Sequence, residues 1–188
     1  MKLIMIYLAI IILSMFGLMS CQQDPCEGSS CINGGVCVDG TCDCPDNYTG
    51  TGCQLQVTPD KIHIREIAVT RFPATNMNLT WDETDGPDLY FRLSNDESAL
   101  AQPIIPIENA NQSNTNYFFI ETFDIFNPEA PHLIELFDYD GAGIPAQKLG
   151  EISFTPYYNT NGFPEKITLD NGGPIAFVLT LEYRFHMD

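Results

Sequence analysis

Residues 24–53 read DPCEGSSCINGGVCVDGTCDCPDNYTGTGC, and they hold six of the seven cysteines of the chain: Cys26, Cys31, Cys37, Cys42, Cys44 and Cys53. So few apolar side chains lie between them that no hydrophobic core can hold this stretch together, and covalent links have to take its place. Zinc is the competing use of clustered cysteines. Zinc modules place their cysteines in pairs ~2–4 residues apart with a second pair further on, whereas Cys42 and Cys44 have a single residue between them. The spacing favours disulfides, and by itself it leaves open which cysteine joins which.

The stretch resembles the EGF-like module. Asn33-Gly34-Gly35 precedes the third cysteine of the run, and the segment closes as Cys-x-Cys-Pro-x-x-Tyr-x-Gly-x-x-Cys, with Tyr48 and Gly50 in the aromatic and glycine places of that family. The resemblance implies the pairing Cys26 to Cys37, Cys31 to Cys42 and Cys44 to Cys53.

Upstream, residues 1–20 read MKLIMIYLAIIILSMFGLMS, with Lys2 as the only charge. This is the composition of a secretory signal, although an uncleaved anchor is also compatible with a run close to the ~20 residues of a membrane span. Leu18-Met19-Ser20-Cys21 resembles the bacterial lipobox, which implies cleavage before Cys21 and a diacylglyceryl group on its sulfur. A lipid thioether also accounts for the odd seventh cysteine. The expected layout is a lipoprotein signal peptide over 1–20, a lipidated tether over 21–25, an EGF-like domain over 26–53, a linker over 54–60 and a larger domain over 61–188. Attachment through lipid would place the chain outside the cytoplasm, on a bacterial outer membrane or cell surface.

Removing Lys2 from a chain of net charge −17 leaves −18. A surface of that sign repels nucleic acid and anionic head groups. Its broad purpose is solubility, and cation binding needs carboxylates that converge.

The stretch from Lys61 onward contains no cysteine and must fold by packing alone. Its segments read as strands: 61–71, 89–93, 117–126, 132–139, 149–157, 165–169 and 175–185, with a weaker one over 104–107 that is interrupted by Pro103 and Pro106 and suits an edge. In the last long strand Ile175, Phe177, Leu179, Leu181, Tyr183 and Phe185 take every second place, the pattern of a strand with one wet face. Apolar spacing nowhere sustains a helix. The expected class is mainly β, an antiparallel sandwich of eight strands following the small disulfide-rich module. Residues 108–116, ENANQSNTN, read as an exposed loop.

Two acidic stretches, Trp81-Asp82-Glu83-Thr84-Asp85-Gly86-Pro87-Asp88-Leu89-Tyr90 and Leu136-Phe137-Asp138-Tyr139-Asp140-Gly141, resemble the calcium-binding loops of the C2 domain. Asp82 and Asp88 have the spacing of the family's first loop, with Leu89 in place of a proline. Asp138 and Asp140 supply the Asp-x-Asp of its third loop, and Leu149-Gly150-Glu151-Ile152 matches the strand that follows. The resemblance implies calcium as cofactor, with Asp82, Asp88, Asp138 and Asp140 as ligands and Asp85 in reserve. One departure is an amide near Gln147 where the family has a further aspartate. The same residues also suit plain turns, where short carboxylates satisfy loop backbone.

Catalysis has little support. His63, His132 and His186 stand singly, and neither a HExxH, a Gly-x-Ser-x-Gly nor a phosphate loop occurs; paired carboxylates acting as a hydrolase are the remote alternative. The expected role is a non-enzymatic, membrane-anchored binding or adhesion lipoprotein, calcium-dependent through its loops, whose partners are the membrane through the lipid and an extracellular protein or glycan. The alternative is a metal-free immunoglobulin-like or carbohydrate-binding sandwich.

Overall fold

The computed structural model describes residues 24–77, 79–82, 85–96, 98–114 and 116–185; the expected signal peptide and Cys21 lie outside the described residues, as does His186. Three disulfides join Cys26 to Cys37, Cys31 to Cys42 and Cys44 to Cys53, with Cα separations of 5.8, 5.7 and 5.4 Å. They are the pairs that the resemblance implied.

The described residues divide into two units: those up to Pro45 with Gly50–Gln54, and Asp46–Thr49 with those from Leu55 onward. In the first, β1 (Val36–Val38) pairs with β2 (Thr41–Asp43). The two turn residues between them, Asp39 and Gly40, have φ of 48° and 83°. Positive φ at both central positions matches the right-handed twist of a tight hairpin, and an Asp-Gly pair adopts it at little steric cost. This hairpin sets Cys37 opposite Cys42.

The second unit includes a short hairpin of β3 (Tyr48–Thr49) and β4 (Leu55–Gln56). The Tyr48 ring meets Phe163 edge-on at 5.6 Å, and Phe163 stacks on Tyr157 at 5.7 Å. Tyr157 is fully buried, and its hydroxyl donates to the Val57 carbonyl at 3.3 Å. Packing of this kind places most of the stretch read as a linker within the second unit.

The rest of that unit is a sandwich of β5 (Lys61–Arg71), β6 (Leu89–Asn95), β7 (Ala99–Ala101), β8 (Tyr117–Phe119), β9 (Phe123–Ile125), β10 (His132–Asp138), β11 (Gln147–Phe154), β12 (Lys166–Leu169) and β13 (Ala176–Arg184). One sheet runs β11-β10-β6-β7; the other runs β12-β13-β5-β8, with β9 continuing along β5. Every pairing is antiparallel. Because β8 and β9 share one edge, nine segments fill eight strand positions. The alternation of β13 does its expected work: Phe177, Leu179 and Leu181 are buried, while Val178 and Thr180 between them and Glu182 after them are partly exposed.

Two expectations are corrected. The weak strand over 104–107 is reduced to a single bridge between Ile107 and Leu89, because Pro103 and Pro106 cannot donate to a ladder. The place beside β6 goes to Ala99–Ala101, whose small residues give little strand signal. The run 117–126 is broken at 120–122, which pair with no strand.

Candidate cation site

The site lies where β6 begins and β10 ends. Pairing of these strands sets Asp138 opposite Leu89, so residues 49 positions apart in sequence become neighbours. Oδ1 of Asp138 accepts the Asp88 backbone N–H at 2.7 Å, and the Tyr139 N–H donates to the Asp88 carbonyl at 2.9 Å. Asp82 is placed by its neighbour: Trp81 is 8% exposed, packs in the core and donates its indole N–H to the Pro73 carbonyl at 2.9 Å. A loop held by a buried indole keeps the following carboxylate from drifting.

Asp82, Asp138 and Asp140 converge, each offering an oxygen such that all lie within 4.8 Å of one another. Asp138 is 0% exposed, and among the described residues its Oδ2 has no hydrogen-bond partner. A carboxylate stripped of water and left half unsatisfied is costly. Burial accordingly pushes the Asp138 carboxyl up to about 6, with the charges of Asp82, Asp140 and Asp88 acting in the same direction and the Asp88 N–H opposing. The Asp82 carboxyl is also raised, first by burial and then by Asp88, Asp140 and Asp85.

Asp85 and Asp88 line the same cleft, of about 630 Å³, with Glu108, Asn109 and Asp140. Neither is among the three whose oxygens converge, and both hold loop backbone or side chain as well. Asp88 Oδ1 accepts the Asn109 backbone N–H at 2.8 Å, and the Asn109 side-chain amide lies beside the Asp85 carboxylate, to which its nitrogen can donate once the amide is flipped. At the position of the missing aspartate, Gln147 donates its amide to Asp140 Oδ2 at 3.5 Å and accepts from Asn76 Nδ2 at 3.0 Å.

The donor set fits calcium. Ca–O distances are ~2.3–2.6 Å, so one ion can touch oxygens up to about 5 Å apart, and the 4.8 Å limit of this group falls inside that span. The orphaned Oδ2 of Asp138 is the kind of atom a cation satisfies. Asp82, Asp138 and Asp140 would hold it, with Asp85 and Asp88 adding charge at the mouth.

Two contributors escaped sequence reasoning. Glu108 sits in a polar loop with no motif around it. Gly86 packs so closely that a Cβ there would lie 1.7 Å from the Ala110 carbonyl oxygen; the Asp-Gly-Pro turn was visible, and what it turns against was not. The two described histidines stay apart from the site: His63 Nδ1 lies 2.7 Å from Asp124, and the buried His132 has its Nδ1 2.8 Å from the Ala130 carbonyl oxygen.

No family model matches the chain, and no curated protein matches it in sequence. Among solved structures, a C2 domain of plant extended synaptotagmin 1 aligns over 71% of this chain and 100% of its own at 12% identity, with a TM-score of 0.48. A further C2 domain aligns over 65% of this chain and 97% of its own at 17% identity and 0.41. Human GIVD cytosolic phospholipase A2 aligns over 70% of this chain and 17% of its own at 9% identity and 0.42.

Proposed function

We propose that this chain is a non-enzymatic, surface-displayed binding protein that engages an extracellular protein or glycan through a calcium ion held by Asp82, Asp138 and Asp140. The observation that carries this reading is the buried, unpartnered Oδ2 of Asp138 beside two further carboxylates. Without a cation such a cluster repels itself. With one, the ion keeps coordination positions open toward the cleft mouth, where oxygens of a partner can complete its shell.

In the same proposal Cys21 carries lipid, the cysteine-rich unit is an EGF-like spacer, and the chain is displayed on the outer side of a bacterial membrane. Nucleic acid is not a partner. Six of the seven lysines and arginines among the described residues are held in ion pairs, Lys61 with Asp124, Arg65 and Arg184 with Glu182, Arg71 with Asp170, Arg92 with Glu135, and Lys148 with Glu135 and Glu151, so little cationic surface is left for phosphates.

The test is titration calorimetry of the protein with calcium and with magnesium, followed by a melt in chelator and in millimolar calcium. Extracellular calcium modules work at dissociation constants of ~10⁻⁴–10⁻³ M. An ion at about ten times that constant raises stability by about 1.4 kcal/mol, several degrees in melting temperature for a domain of this size. No heat and no shift would leave the metal-free sandwich as the better description.

A further inference from the structure

The sandwich has a flank where both sheets finish. There, among the described residues, β7 pairs only with β6, and β8 and β9 pair only with β5. The strands β7 and β9 approach each other, and between them runs a groove of about 810 Å³. Leu100 and Phe123, partly buried and packed on the core, contribute to it. Ile104 and Ile120 line it from the two sides and are 88% and 77% exposed. Glu121 is the one charged residue in the lining, and among the described residues it makes no ion pair.

Sheet edges offer unpaired N–H and C=O groups, and soluble proteins usually blunt them with charge, proline or cover. Proline follows β7 at Pro103, yet the seam itself keeps two large, water-facing isoleucines. Exposed apolar side chains gathered along a groove mark a surface that is covered in use. Three observations choose what covers it. Open strand edges accept extended backbone, and the spacing of side chains on a strand allows alternate residues to enter an apolar groove. The only charge present is a carboxylate, which favours a cation. A second copy of a chain carrying −17 brings like charge to the contact.

We propose that this seam captures an extended segment of a partner protein in which apolar residues alternate with lysine or arginine. Its backbone adds along the free strand edge, its apolar side chains seat over Leu100 and Phe123 between Ile104 and Ile120, and a cationic side chain meets Glu121. This binding needs no metal ion, so it stands or falls separately from the cation site.

The experiment selects peptides of about ten residues from a displayed random library on the full chain, with chelator present throughout, and measures the enriched peptides by fluorescence polarisation. Expected are alternating apolar and basic sequences, with affinity lowered about tenfold or more, at least 1.4 kcal/mol, by Ile104→Asp and by Ile120→Asp. Glu121→Lys should reverse the charge preference. Ile104 and Ile120 are exposed and Glu121 is partly exposed, and circular dichroism should show the variants folded. Enrichment no better than on a bare support overturns the proposal, as does binding indifferent to both aspartate variants. Concentration-dependent dimerisation abolished by Ile120→Asp would also overturn it, making a second copy the occupant.

Discussion

Asp138→Asn should have opposite consequences with and without calcium. In the folded protein the Asp138 carboxyl is pushed up from 3.8 to about 6. Between those values the folded state holds a proton that the unfolded state has released, so the contribution of this group to stability falls as pH rises and levels off above about pH 6. At ~1.36 kcal/mol per unit the full shift is worth about 3 kcal/mol; relaxation and water entry make about 1–3 kcal/mol the working figure. Asparagine imitates the neutral acid: its oxygen can still accept the Asp88 N–H, and its amide faces carboxylates instead of adding a charge to them. In chelator, the variant and the wild type should therefore be equally stable near pH 4 and diverge by about pH 7, with the variant more stable. Taking the difference between the two proteins also cancels the opposing pH dependence of Asp124, Asp170 and Glu182, whose carboxyls are held low by their cationic partners. In millimolar calcium the order at neutral pH should move the other way, since the wild type gains the ion's binding energy and the variant has lost a ligand. The assay is denaturant unfolding of both proteins at a series of pH values, with and without calcium. A wild type as stable as the variant in chelator at neutral pH would refute the strain assigned to Asp138. A calcium response undiminished in the variant would refute its role as ligand.

Gly86→Ala forces a Cβ against the Ala110 carbonyl oxygen at a position that carries Asp85 and Asp88; it should destabilise the domain by about 1–3 kcal/mol and weaken calcium binding, and calorimetry that finds wild-type affinity would show the turn does not set the cleft. Phe163→Ala removes ring contacts with Tyr48, Tyr157, Tyr183 and Phe185 and should cost about 2–4 kcal/mol. It should also lower the Tyr183 phenol, which burial and then Tyr157 push up to about 12; an unchanged ultraviolet titration would contradict that packing. Cys21→Ser should release the protein from membranes or leave an uncleaved precursor, and identical fractionation together with identical mass would dismiss lipidation.

Much of this protein is local in its sequence. Six cysteines in a short stretch without a core demand cross-links whatever follows them, and Asp39-Gly40 is a hairpin turn on backbone sterics alone. The alternation in β13 declares a half-wet strand because successive side chains on extended backbone point to opposite faces. The acidic runs 82–88 and 138–140 were visible as loops at strand ends for the same local reasons. Their meeting was implied only by the family resemblance and by nothing local, because it depends on the register between β6 and β10, which sets Asp138 opposite Leu89 and is decided by how two apolar faces pack. The same register removes water from Asp138 and leaves Oδ2 unsatisfied, turning a turn residue into a candidate ligand. Glu108 reaches the cleft only because its loop folds over Gly86, and the break between β8 and β9 exposes Ile120 through a choice of partners made by β5 along its whole length. Periodicity and spacing report what a segment prefers by itself; which segments become neighbours, and which carboxylates lose their water, is settled by long-range packing that no single stretch encodes.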